Sequence, residues 1–106
     1  MTTTRIDKIQ AMLLDDPRDA FLRYSLAMEY RKLDENDKSL DLLTELANNE
    51  VPRYVAAFFM AAQQLVELDR IEEARTFLRD GIDEARSQGN HHAAAEMSEL
   101  LSEIGK

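Results

Sequence analysis

Apolar side chains recur three and four residues apart along nearly the whole chain, the spacing of one face of an α-helix. Thr4 followed by Asp7 forms the pattern of a capping box, and Ile6, Ile9, Met12 and Leu13 share a face, so a first helix is predicted over about 4–14. "DDP" ends it. Asp16 is then the expected cap of a second helix, with Pro17 at its first position, running to about Leu33. "LDENDKS" carries turn signals, and Leu40, Leu42, Leu43 and Leu46 drive a third helix to about Asn48. "NNEVP" breaks the chain, and Pro52 is expected to open a fourth helix through Leu68. Ile71, Ala74, Phe77, Leu78 and Ile82 place one apolar face on a fifth, which Gly89 stops. Asn90 caps a sixth, with Ala94, Met97, Leu100, Leu101 and Ile104 at helical spacing. Short connections between six helices imply antiparallel neighbours.

One stretch departs from the striped pattern. From Val55 to Ala62 every residue is apolar, so the fourth helix has no polar face there. That requires burial on several sides, a membrane, or a binding surface. The run is far shorter than the ~18 residues needed to span a bilayer, which leaves the other two.

Shifting the chain by 35 residues pairs Pro17 with Pro52, Arg18 with Arg53, Ala27 with Ala62, Leu33 with Leu68, Asp34 with Asp69 and Leu43 with Leu78. The same shift pairs Tyr24 with Phe59, Leu42 with Phe77, and the small residues Ser39 and Ala74. A unit of two helices near this length is the signature of a module that needs neighbours to cover its apolar faces.

With this period, "YSLAMEY" and "FFMAAQQL" resemble the first-helix pattern of the tetratricopeptide repeat (TPR) family, supplying Leu26, Ala27 and Tyr30, then Phe58, Ala61, Ala62 and Leu65. Ser39 and Leu43, then Ala74, Leu78 and Gly81, resemble its second-helix pattern. The resemblance divides a single domain into a partial-repeat helix (4–16), repeat 1 (17–51), repeat 2 (52–86) and a C-terminal capping helix (90–105). It implies an all-α fold, a right-handed superhelical array of antiparallel helix pairs. Ala27, Ala62 and Ala74 are expected where paired helices approach closely, so Ala62→Leu should cost several kcal/mol by overpacking. Arg23 stands in place of an aromatic, Leu46 in place of a small residue, and Asp34 and Asp69 in place of a turn glycine, which Asp tolerates.

In such an array the first helices line a concave groove. The resemblance therefore implies a partner surface made of Tyr24, Met28, Arg31 and Lys32 beside Phe59, Met60, Gln63 and Glu67, with His91, Ala95 and Ser98 completing the wall. Aromatic and methionine side chains suit an apolar helix or peptide because they bury area and adapt in shape. Phe59 and Met60 have two readings, groove or interhelix core. Some family members grip a terminal carboxylate with basic and amide residues. Here Tyr24, Met28, Met60, Gln63, His91 and Ala95 occupy those places, so that clamp is not expected.

Composition narrows the function further. The 106 residues carry 21 acidic and 13 basic side chains, a net charge of −8, and no segment is basic. Nothing neutralises phosphates, so neither nucleic acid nor an anionic membrane is an expected partner. There is no cysteine, which removes disulfides, thiolate metal sites and a Cys nucleophile. The N-terminus has no apolar signal core, and a cytoplasmic protein is expected. Met1 and the final helix point to a whole protein.

His91 and His92 are adjacent and point about 100° apart on a helix, which is wrong for chelating one metal. Asp80, Asp83 and Glu84 share helical contact spacing, but a general acid and base need unlike environments, and these read as solvated. With no phosphate loop and no nucleophile beside a base, the expectation is a non-enzymatic protein-interaction module, an adaptor or scaffold, without cofactor or metal. The alternative is a homo-oligomer joined through apolar residues of the end helices, such as Ile9 and Leu13 or Leu100 and Ile104.

Overall fold

The computed structural model describes residues 4–105, and among them the chain is all-helical. Six helices follow in order: α1 (Arg5–Asp15), α2 (Ala20–Lys32), α3 (Asn36–Asn48), α4 (Val55–Glu67), α5 (Ile71–Ser87) and α6 (His91–Ile104). Each packs on the next in sequence, and α4 also touches α6. The result is elongated, 47 × 29 × 20 Å.

Local chemistry sets most helix ends. Thr4 Oγ1 accepts from the Asp7 N–H and Asp7 returns a bond to the Thr4 N–H, the reciprocal pair expected at the start of α1. Asn90 accepts from the Ala93 N–H and starts α6. At the far ends, α2, α4 and α5 close by one shared device. The N–H groups of Asp34 and Glu35 donate to Arg31 and Tyr30, those of Asp69 and Arg70 to Val66 and Leu65, and those of Gly89 and Asn90 to Arg86 and Ala85. These paired bonds require a left-handed residue just past the helix. Asp34, Asp69 and Gly89 provide it, with φ of 58°, 59° and 75°.

The prolines do not open helices. Asp19, not Asp16, caps α2 by accepting from the Leu22 N–H at 2.9 Å, so Pro17 lies in the preceding turn. Pro52 follows a cis peptide bond in the α3–α4 connection. Tyr54, the residue before α4, donates its N–H to Leu46 O at 2.9 Å, while the Arg53 guanidinium donates to Ala47 O. Those bonds hold the chain extended against α3, and the helix begins three residues after Pro52.

The core explains the all-apolar run. Val55, Ala57, Phe58, Ala61 and Ala62 are buried, with α3 on one side and α5 and α6 on the other. Ala27, Ala62 and Ala74 are completely enclosed. At Gly81 a Cβ would stand 2.6 Å from both Phe58 Cβ and Met97 Sδ, so only glycine lets α5 lie this close to α4 and α6. Leu46, although larger than expected at its position, is fully buried. Arg23 uses its charge where an aromatic was expected, pairing with Glu50 and donating to Arg18 O.

Two buried polar residues join three helices. Ser39 Oγ lies 2.7 Å from Ala27 O and 3.0 Å from the Gln64 amide, which in turn meets the Asn36 amide at 2.9 Å. Ser39 has one proton and the Ala27 carbonyl can only accept it. The Ser39 hydroxyl is thus shared between two acceptors, Ala27 O and Gln64 Oε1, and Gln64 Nε2 donates to Asn36 Oδ1. Gln64 falls within the most apolar helix and was not anticipated as a core residue.

Candidate interaction face

Of the groove residues expected from sequence, Arg31, Met60 and Glu67 meet at the α2–α4 seam, and Phe59 and Gln63 lie at the α4–α6 seam. On α2, Tyr24 and Met28 are half-buried against the core. Tyr24 stacks at a tilt on Tyr54, with ring centroids 5.5 Å apart. Burial, and then the neighbouring Tyr54, raise the Tyr24 pKa against the opposing pull of Arg31. Burial and Asp19 raise that of Tyr54.

Arg31, Met60 and Glu67 come together across the α2–α4 seam. The Arg31 guanidinium donates to Met60 Sδ at 3.4 Å and pairs with Glu67. A cation is thus already seated on the sulfur and neutralised by a carboxylate two turns further along α4. Met60 is half-buried beneath it.

Lys32 does not join this group. It pairs with Glu29 at 3.0 Å and, with Thr4, Arg5, Ile6 and Leu33, lines a separate hollow against α1. Glu29 also meets Arg5 at 3.4 Å, and the Lys32 hydrogen bond leads the effects that lower its pKa. Adjacent helix positions point about 100° apart, so Arg31 and Lys32 cannot serve one seam.

At the α4–α6 seam, Phe59 and Gln63 form one wall of a shallow trough, and Glu96, Glu99, Leu100 and Glu103 form the other. The α6 residues expected there, His91, Ala95 and Ser98, do not line it. Ala94, Met97 and Leu101 are buried in the core, and that rotation of α6 brings the glutamates round to Phe59. The available signal was the spacing of Glu96, Leu100 and Glu103, four and then three residues apart.

Phe59 is half-buried, whereas its neighbour Phe58 is enclosed. Phe59 packs against the core and also lines the trough. The self-association residues divide as well. Ile9 is 4% exposed and serves the core, Leu13, Leu100 and Ile104 are half-buried, and the exposed apolar residues near the α1–α2 corner are instead Met12, Leu14 and Phe21. Among the described residues no set of His, Asp and Glu is arranged to hold a metal, and no helix is long and apolar enough to cross a membrane.

No family model matches the sequence, nor does any curated protein or solved structure.

Proposed function

We propose that this chain is a small, non-enzymatic protein-interaction module, a right-handed array of TPR-like helix pairs acting in the cytoplasm as an adaptor. Its α2–α4–α6 face receives a peptide or helix from a protein partner. The observation that carries this reading is the half-open Phe59, an aromatic ring beside a trough, next to a Phe58 that the core fully consumes. Such a ring buries apolar area on binding at small entropic cost. The acidic surface and the lack of a nucleophile or phosphate loop support binding over catalysis.

The test is affinity capture from the source cell with wild type, Phe59→Ala and Met60→Glu, each first checked for unchanged helicity by circular dichroism. Loss of the same partner in both variants supports the face. Equal recovery by all three refutes it.

A second reading has its own observation. Leu14 is 83% exposed and Phe21 65% exposed, large apolar side chains that a single chain leaves in water. Self-association through the α1–α2 corner would cover them. Sedimentation at two concentrations separates the readings, since a mass that rises with concentration and falls back in Leu14→Glu supports the oligomer.

A further inference from the structure

Between Arg86 and Lys106 the sequence has three glutamates and no lysine or arginine, and all three glutamates lie along the trough beside Phe59. Glu96, Glu99 and Glu103 span two turns of α6, a row of about 10 Å at the rise of an α-helix. Glu96 meets only His92, at 3.2 Å, and among the described residues no cation pairs with Glu99 or Glu103.

Three carboxylates elsewhere in the molecule are paired across interhelix gaps. Glu50, Glu67 and Glu84 are each reached across an interhelix gap by a guanidinium, from Arg23, Arg31 and Arg53 respectively. The α2–α4 seam is the informative case. There Arg31 lies on the soft sulfur of Met60 and pairs with Glu67. The α4–α6 seam has the same ingredients but one, with an apolar ring and Leu100 for the floor and carboxylates for the rim. The residue 35 positions after Arg31 is Val66, so this seam has no guanidinium of its own.

From this we infer that the trough between α4 and α6 takes a basic protein segment, one whose arginine or lysine lies over Phe59 and pairs with Glu99 and Glu103 while an adjacent apolar side chain meets Leu100. The inference rests on the interaction reading above and specifies its partner. A cation over an aromatic face gains from the ring quadrupole, and carboxylates at the rim steer a positive segment and reject a negative one. Nucleic acid is excluded by the same charge.

The experiment uses the whole chain and three labelled amphipathic peptides, each with leucine on one face and lysine, glutamine or glutamate on the other. Binding is followed by fluorescence anisotropy at low and high salt. The lysine peptide should bind best, weaken with salt, and lose about three- to tenfold in affinity to Glu99→Gln/Glu103→Gln, two rim charges of ordinary strength. Phe59→Ala should weaken it further. Asp80→Asn/Asp83→Asn removes the same charge from exposed positions of α5, beside Arg53 and Glu84, and should leave affinity unchanged.

Equal loss in that control pair would mean attraction to net charge alone and would overturn the inference. Equal, Phe59-dependent binding of all three peptides would also overturn it, while leaving the interaction face intact. Binding of none, or binding indifferent to Phe59→Ala, would overturn the interaction face as well.

Discussion

Phe58 and Phe59 are neighbours in sequence with opposite surroundings: Phe58 makes an edge-type ring pair with Phe77, centroids 6.4 Å apart, and has Gly81 against its Cβ, whereas Phe59 opens onto the α6 glutamates. Truncating each to alanine should separate structure from binding. Phe58→Ala empties the centre of the core and should cost about 3–5 kcal/mol, much of the stability of a domain this size. Phe59→Ala removes a half-exposed ring and should cost about 1 kcal/mol. Urea unfolding of both variants checks this, and equal losses would place Phe59 in the core.

The contact at Gly81 leads to a substitution that opposes helix propensity. Alanine is the better helix former by about 1 kcal/mol, yet its methyl would overlap Phe58 and Met97. Gly81→Ala should therefore lower stability by about 1–3 kcal/mol. Ala62→Leu, at a fully enclosed position, should lose a similar amount. A raised thermal midpoint in either variant would mean that the helices are not held this close.

The Ser39–Gln64 link is expected to be more costly to break than to remove. Ser39→Ala leaves a buried amide without its partner and should cost about 1–3 kcal/mol. Adding Gln64→Leu removes the stranded group, so the double variant should be more stable than the sum of the two single losses implies. A double-mutant cycle by chemical denaturation reads the coupling, and strict additivity would deny the link.

Tyr24 and Tyr54 give a pH dependence. Both folded phenols have raised pKa values, mainly from burial. The folded state thus holds these protons more tightly than the unfolded chain. Their contribution is complete below the ordinary tyrosine pKa of about 10 and is lost as pH rises through the higher folded values. Wild type should lose stability above about pH 10 more steeply than Tyr24→Phe/Tyr54→Phe, as measured by unfolding across that range. Parallel decline would contradict the burial of this pair.

Features decided within a few residues were legible in the sequence. The Thr4 and Asn90 caps, and the left-handed Asp34 and Asp69, follow from side chains that bond or accommodate their own backbone. The starts of α2 and α4 were misplaced because Pro fits a first helical turn and a preceding turn equally well. Asp19 and the bond from Tyr54 to Leu46 O decided between them. The expected groove residues fall at separate seams that the sequence does not distinguish. Arg31 and Lys32 are adjacent and so point about 100° apart on α2, which the expectation of one surface overlooked; they pair with Glu67 and Glu29 at different seams. The sequence alone gives no sign that Gln64 is buried, because its partners, Ser39 and Asn36, lie 25 and 28 residues away.

The most direct measurement of the central claim is an amide-resolved footprint of the chain with its captured partner, by hydrogen exchange or chemical-shift mapping. The account predicts changes centred on Phe59, Gln63 and Glu67 of α4 and on residues 96–103 of α6, with the outward positions Asp41, Thr76 and Arg79 of α3 and α5 unaffected. A footprint confined to α3 and α5, or to the exposed Leu14 and Phe21, would contradict it.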